Sequence, residues 1–177
     1  KRLQALPEKG EIQINIMTAD GIKQMEENIQ TLPQSLRALV RKQPDRIAMR
    51  RKDYGIWQDI TWREYYDNVR NVAMGLHALG VKRGDHVSIV GENKPEWLYS
   101  AMGVMSLGAT FVGVYTTNPV AECEYVVGHS ESVVFFCEDE EQFDKALAFR
   151  ERTPHLKKTV VWDMEGLKHF ADPMLIS

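Results

Sequence analysis

Residues 86–137, HVSIVGENKPEWLYSAMGVMSLGATFVGVYTTNPVAECEYVVGHSESVVFFC, alternate short apolar runs with longer stretches that open at proline. His86 to Gly91 reads as a buried strand, Pro95 to Leu107 as a helix and Thr110 to Tyr115 as the next strand. Asn118-Pro119 opens a second helix, and Ser132 to Cys137 is a third strand. Further on, Asp139 to Arg152 gives a third helix and Lys158 to Trp162 a fourth strand. This is the rhythm of βαβ crossovers, because parallel neighbours need a connection of about a dozen residues that packs back on the sheet. The expected class is therefore α/β, a doubly wound and mostly parallel sheet of these four strands with helices on both faces. The near-continuous apolar runs suit strands buried on both sides.

Upstream the pattern changes. Residues 1–30 are polar and weakly periodic, apart from an alternation over 11–16 that suits an edge strand, and are set apart from the domain expected over 31–177. A short helix from Pro33 to Lys42, with Leu36, Leu39 and Val40 on one face, is stopped by Pro44. Ile47 to Arg51 and Trp57 to Thr61 read as a small hairpin turning at Asp53-Tyr54-Gly55. Thr61-Trp62-Arg63-Glu64 is a capping box, whose hydroxyl and carboxylate satisfy two orphan amides at a helix start. Behind it Trp62, Tyr65, Val69, Val72, Leu76 and Leu79 recur at spacings of three and four, until Gly80 supplies a stop.

With 177 residues, of which 44% are hydrophobic and 27% charged, the chain can bury a core. A net charge of -3 gives no electrostatic reason to expect nucleic acid, which calls for a basic face. Acidic residues outnumber basic ones threefold between Pro119 and Thr153. Glu138-Asp139-Glu140-Glu141 accounts for much of this and reads as a solvated helix start, where negative charge is favoured. Cys123 and Cys137 form no C-x-x-C pair and fall on apolar stripes, so they read as core residues of a reduced, cytoplasmic protein. No apolar run has the length of a membrane span and no signal-peptide pattern is visible. The chain starts with Lys rather than Met, which suggests a piece of a longer product.

Candidate chemistry is found by elimination. The histidines, His77, His86, His129, His155 and His169, lack the spacing of zinc ligands, so no metal site is expected. There is no G-x-S-x-G elbow, no G-x-G-x-x-G fingerprint and no Walker A loop. Gly103, Gly108 and Gly113 suit close packing and turns. What remains are strand ends. In an open α/β sheet, ligands bind outside the carboxyl ends of the strands, where helix N-termini also point. Gly91-Glu92-Asn93 and Tyr115-Thr116-Thr117-Asn118 belong to that edge. Two readings stand: Asn93 ahead of Pro95 and Asn118 ahead of Pro119 serve capping alone, or Tyr115, Thr116, Thr117 and Asn118 line a substrate cleft as well.

The stretch from Thr61 to Cys137 also resembles the N-terminal part of the adenylate-forming acyl-CoA synthetases, particularly their long-chain and bubblegum-type members. The TWREY phrase inside ITWREYYDNV is similar to that family's first core motif, and SLGATFVGVYTTN to its second, with RGDHVSIVGENKPEW between them in the family's order. Weaker similarity reaches back to SLRALVRKQPDRIAMR and on to TVVWD. Such enzymes activate a carboxylic acid with ATP and Mg²⁺, then pass the acyl group from the adenylate to the thiol of coenzyme A. The resemblance implies the first subdomain of a fatty acid:CoA ligase that meets fatty acid, ATP and CoA when intact. It carries over no catalytic residue, because the phosphate loop with its lysine, the adenine and ribose motifs and the C-terminal catalytic lysine all lie in parts of the family that this chain does not match. No cofactor is expected on the piece alone, and peripheral membrane contact and homo-oligomerisation are left open. The alternative is a self-standing α/β binding or interaction module without catalysis.

Overall fold

The computed structural model describes residues 29–177, so the alternation over 11–16 lies outside the described residues. Two compact units divide the chain. One ends at Asn68 and includes Asn93–Pro95; the other comprises Val69–Glu92 and Glu96–Ser177.

The first unit opens with helix α1, Leu32–Lys42, which buries Leu36 and Leu39. Its start is a reciprocal box: the Gln34 amide donates to the Thr31 hydroxyl, and the Thr31 amide donates to the Gln34 side-chain oxygen at 3.1 Å. Strands β1, Ile47–Asp53, and β2, Ile56–Thr61, pair antiparallel and run to the turn itself, with Asp53 opposite Ile56. Tyr54 and Gly55 both take positive φ, 46° and 82°, as a two-residue hairpin turn of matching twist requires. Helix α2, Trp62–Ala78, follows directly and crosses from the first unit into the second.

The expected box at the start of α2 is present. The Thr61 amide donates to Glu64 Oε2 at 2.7 Å and the Thr61 hydroxyl does so at 2.8 Å, while the Glu64 amide donates back to Thr61 Oγ1 at 3.2 Å. The Thr61 amide, and after it the hydroxyl, hold the Glu64 carboxyl below its ordinary value of 4.5. A depressed folded pKa adds stability that is present above the unfolded value and is lost as pH falls through the folded one. Thr61→Ala is therefore expected to cost about 1 kcal/mol at neutral pH. In thermal melts, the gap between Glu64→Gln and the native chain should narrow as pH drops below 4.5; a gap that widens in acid would contradict this assignment.

After α2, β3 (His86–Val90), α3 (Pro95–Ser106, of which only Pro95 falls in the first unit), β4 (Thr110–Val114), α4 (Val120–His129), β5 (Val134–Cys137), α5 (Glu140–Phe149) and β6 (Lys158–Val161) alternate as the sequence predicts. A two-residue strand, β7 (Leu175–Ile176), was not anticipated, being too short for periodicity to register. The spatial order is β4-β3-β5-β6-β7 and every pairing is parallel. Both faces of this sheet are covered, as alternation along β5 makes plain. Phe135 and Cys137 join a cluster with Cys123, Val127, Phe143 and Phe149, from α4 and α5. Val134 and Phe136 join another with Leu76, Ala101 and Val104, from α2 and α3. Side chains two apart share a face and neighbours oppose, so each strand feeds two cores.

Ser132 stands outside β5 although it was expected to open it. Its amide donates to the Val127 carbonyl at 3.1 Å instead of joining the ladder, and its buried hydroxyl shares hydrogen bonds with Ser88 Oγ at 2.7 Å and Ser130 Oγ at 2.8 Å. The predicted third helix likewise ends early, at Phe149, and continues as a 3₁₀ turn over Arg150–Arg152.

Candidate functional site

Numbering only the sheet strands in chain order gives 2-1-3-4-5, the doubly wound order whose connections depart in opposite directions from between the first and third strands. Here those strands are β3 and β5. Their carboxyl ends deliver Gly91-Glu92 and Glu138-Asp139 to the place where crossovers leave a crevice.

Each of these residues has a local reason to be where it is. The Trp162 ring, just past β6, occupies the space that a Cβ on Gly91 would need, and the Glu138 Cβ would lie 3.3 Å from it. Glycine is thus the residue that lets the two strand ends close up. Gly91→Ala is expected to cost about 1 to 3 kcal/mol through displacement of that ring, read by urea denaturation; a neutral substitution would mean that the indole moves aside freely.

Glu138 is buried, with 7% of its surface exposed, and its Oε2 accepts the Glu92 amide at 2.6 Å. The Glu138 carbonyl accepts the Asp163 amide at 2.8 Å. The acidic run is therefore not one solvated face: its first member turns inward to bind backbone, while Asp139 caps α5 by accepting the Gln142 amide at 3.1 Å. Glu92 in turn accepts the Thr116 hydroxyl at 2.8 Å, which joins the two strand-end segments singled out by sequence. Asn93 belongs to the other unit.

Of the predicted site residues, Tyr115 is 79% exposed and Thr117 is exposed, while Thr116 and Asn118 are half-buried. The Asn118 amide donates to the Tyr115 carbonyl at 3.1 Å and closes a turn. Asn118 does not cap α4. The cap position falls to Pro119, with no side-chain bond, and the Pro119 carbonyl accepts the amides of Glu122 and Cys123. The proline ring fixes φ at -66°, a value compatible with this extended entry, and no side-chain acceptor is present. The Asn118 carbonyl instead takes the Cys123 thiol at 3.6 Å.

Sequence reasoning missed Lys145. Its ammonium, with 13% of the side chain exposed, donates to the Thr116 carbonyl at 2.7 Å and to Gln142 Oε1 at 2.9 Å. A lysine in the second turn of the helix after a strand end was the available signal, since that end of α5 points at the same edge. Both cysteines are buried, and burial pushes the Cys123 and Cys137 thiols up, which keeps them protonated and unreactive. Among the described residues, no helix is long and apolar enough to cross a membrane.

Residues 36–173 match the AMP-binding enzyme family. The chain is 32% identical over 135 residues to the long-chain-fatty-acid-CoA ligase ACSBG2 of Xenopus laevis, which covers 76% of this chain and 18% of that protein. It is 33% identical over 126 residues to the long-chain-fatty-acid-CoA ligase ACSBG1 of Rattus norvegicus, covering 71% and 17% respectively. In the crystal structure of coronafacic acid ligase from Pectobacterium brasiliense, 28% of the chain superposes on 82% of this one with a TM-score of 0.70 at 18% identity. The chain thus spans under a fifth of the length of these curated relatives. A parallel sheet flanked by helices, together with a match over most of its length, makes this chain a member of the AMP-binding enzyme family.

Proposed function

We propose that residues 31–177 are the first subdomain of an ATP-dependent long-chain fatty acid:CoA ligase, cytoplasmic or peripheral at a membrane. The observation that carries this reading is the identity, 32% over 135 residues, to a protein of that named activity. The chemistry is the adenylation of a carboxylate and its transfer to a thiol. A carboxylate is a poor electrophile; one of its oxygens attacks the α-phosphorus of ATP and expels pyrophosphate, and the resulting acyl-adenylate releases AMP when the thiol attacks its carbonyl carbon, with fixed donors holding the phosphate charge that develops. Among the described residues no three His, Cys, Asp or Glu side chains converge as a metal ion needs. On this reading the chain supplies scaffold and one wall of the acyl or CoA passage. Tyr115, Thr116, Thr117 and Asn118 form that wall, because they leave the sheet at its carboxyl edge with Tyr115 and Thr117 outward.

The direct experiment uses the longer protein that contains this chain, supplied with palmitate, ATP, Mg²⁺ and CoA. Palmitoyl-CoA should form, and a protein that forms none would return the chain to the interaction-module reading. Thr117→Val in that protein should raise KM for palmitate or CoA by more than about tenfold, beyond what a capping loss of about 1 kcal/mol gives. Unchanged kinetics with a small drop in Tm would leave the segment a turn and nothing more.

A further inference from the structure

We propose that Lys145 is a positioning residue for the Tyr115–Asn118 segment, a role that rests on the reading of that segment as a substrate wall. The segment is tied from two sides. Its Thr116 hydroxyl donates to Glu92 Oε1 at 2.8 Å, and the Glu92 amide donates to Glu138 Oε2 at 2.6 Å. Its Thr116 carbonyl accepts Lys145 Nζ at 2.7 Å. Lys145 belongs to α5, which Asp139 caps directly after Glu138. The bonds therefore run Thr116 to Glu92 to Glu138, along the chain into α5, and back through Lys145 to Thr116. This is a closed ring around the carboxyl ends of β3, β4 and β5.

The physical case for Lys145 as the movable member is its cost and its reach. An ammonium that is mostly out of water must keep its three donors occupied. Two go to Thr116 and Gln142 Oε1, and Glu141 Oε1 lies 3.8 Å away as the counter-charge. The bond to Thr116 spans 29 residues of sequence, whereas the other two lie within one helical turn. It is the contact that ties the β4–α4 connection to α5, the helix packed beside α4 on the same face of the sheet. Tyr115, with no such tie, stays exposed on a backbone held at the next residue.

The test has two readouts. In the chain carrying Lys145→Met, which keeps the aliphatic stem and removes the donors, amide hydrogen exchange at Asn118 should quicken by about tenfold or more, since its bond to the Tyr115 carbonyl loses the anchor beside it. Exchange at Ile89, in the interior of the sheet, should change little, and Lys145→Arg should restore most of the protection at Asn118. Unchanged exchange at Asn118, or an equal rise at Ile89 from general loosening, would overturn the proposal. In the longer ligase the same Lys145→Met should raise KM for palmitate or CoA with kcat nearly kept, and Lys145→Arg should bring KM back. If Asn118 exchange responds and KM does not, the positioning role stands and the substrate wall falls.

Discussion

Purified alone, the 177-residue chain is expected to give no palmitate-dependent exchange of labelled pyrophosphate into ATP. Exchange needs reversible adenylation, in which charge builds on the phosphate oxygens and must be met by preorganised donors. Removal of one such donor typically costs about 3 to 4 kcal/mol in the transition state, or 10²- to 10³-fold in rate. The sequence holds no Walker A loop and no glycine-rich phosphate loop with lysine. On the proposed reading several such groups belong to the longer protein, and their losses would multiply to a level below any assay background. Lys145 does not substitute for them, because its donors are occupied by Thr116 and Gln142. The measurement is simple: equal amounts of the chain and of the longer protein, with and without palmitate. Clear acid-dependent exchange from the chain would show that adenylation needs less than this account supposes.

Phe135→Ala should be the most damaging single truncation, at about 3 to 5 kcal/mol. Phe135 is fully buried on β5, the middle strand of the five, and its ring centroid lies 6.0 Å from that of Phe149 on α5. The cavity left behind would be walled by strands on both sides and by two helices, so it has little freedom to collapse. Since a domain of this size is stable by roughly 5 to 15 kcal/mol, the loss would take more than half of the total at the low end. Tyr54→Ala offers the contrast. That ring is 99% exposed at the hairpin tip, and its removal should stay within about 0.5 kcal/mol. Urea titrations of both variants decide the matter, and a Phe135→Ala loss below about 1.5 kcal/mol would mean that the core refills.

The strands and their parallel pairing were legible because burial on two faces writes itself as continuous apolar runs, as in His86-Val87-Ser88-Ile89-Val90. Leu76 and Val69 were legible because a seventeen-residue helix repeats its stripe often enough to be read. The order of the strands was not, since periodicity says which face is buried and nothing of which neighbour lies beside it. That order is what singles out β3 and β5 as the switch point. The candidate site divides along the same line. Thr116 and Glu92 follow from the strand-end rule, which is local. Glu138 and Lys145 look like ordinary surface charges in sequence, and only the tertiary fold turns one inward and carries the other across to the Thr116 carbonyl. Asn118 misled for a different reason: residue type suggested a cap, while the proline after it had already set the backbone geometry.

Strand β4 stands at the end of its sheet, and among the described residues nothing pairs with its outer side. Its sequence, Thr110-Phe111-Val112-Gly113-Val114, has no charge and no proline, the two devices by which natural sheets discourage unwanted partners. The row of free amides and carbonyls there is a template on which a second extended segment can assemble. In a concentrated preparation this is where copies of the chain would first stick to one another, by edge-to-edge growth rather than by any unfolding of the core. A lysine at Val112, whose side chain is half-buried beside that edge, is the kind of guard that evolution has left out here. These five residues make one border of the sheet an aggregation liability for the isolated piece, on the strand that leads directly into the Tyr115–Asn118 segment.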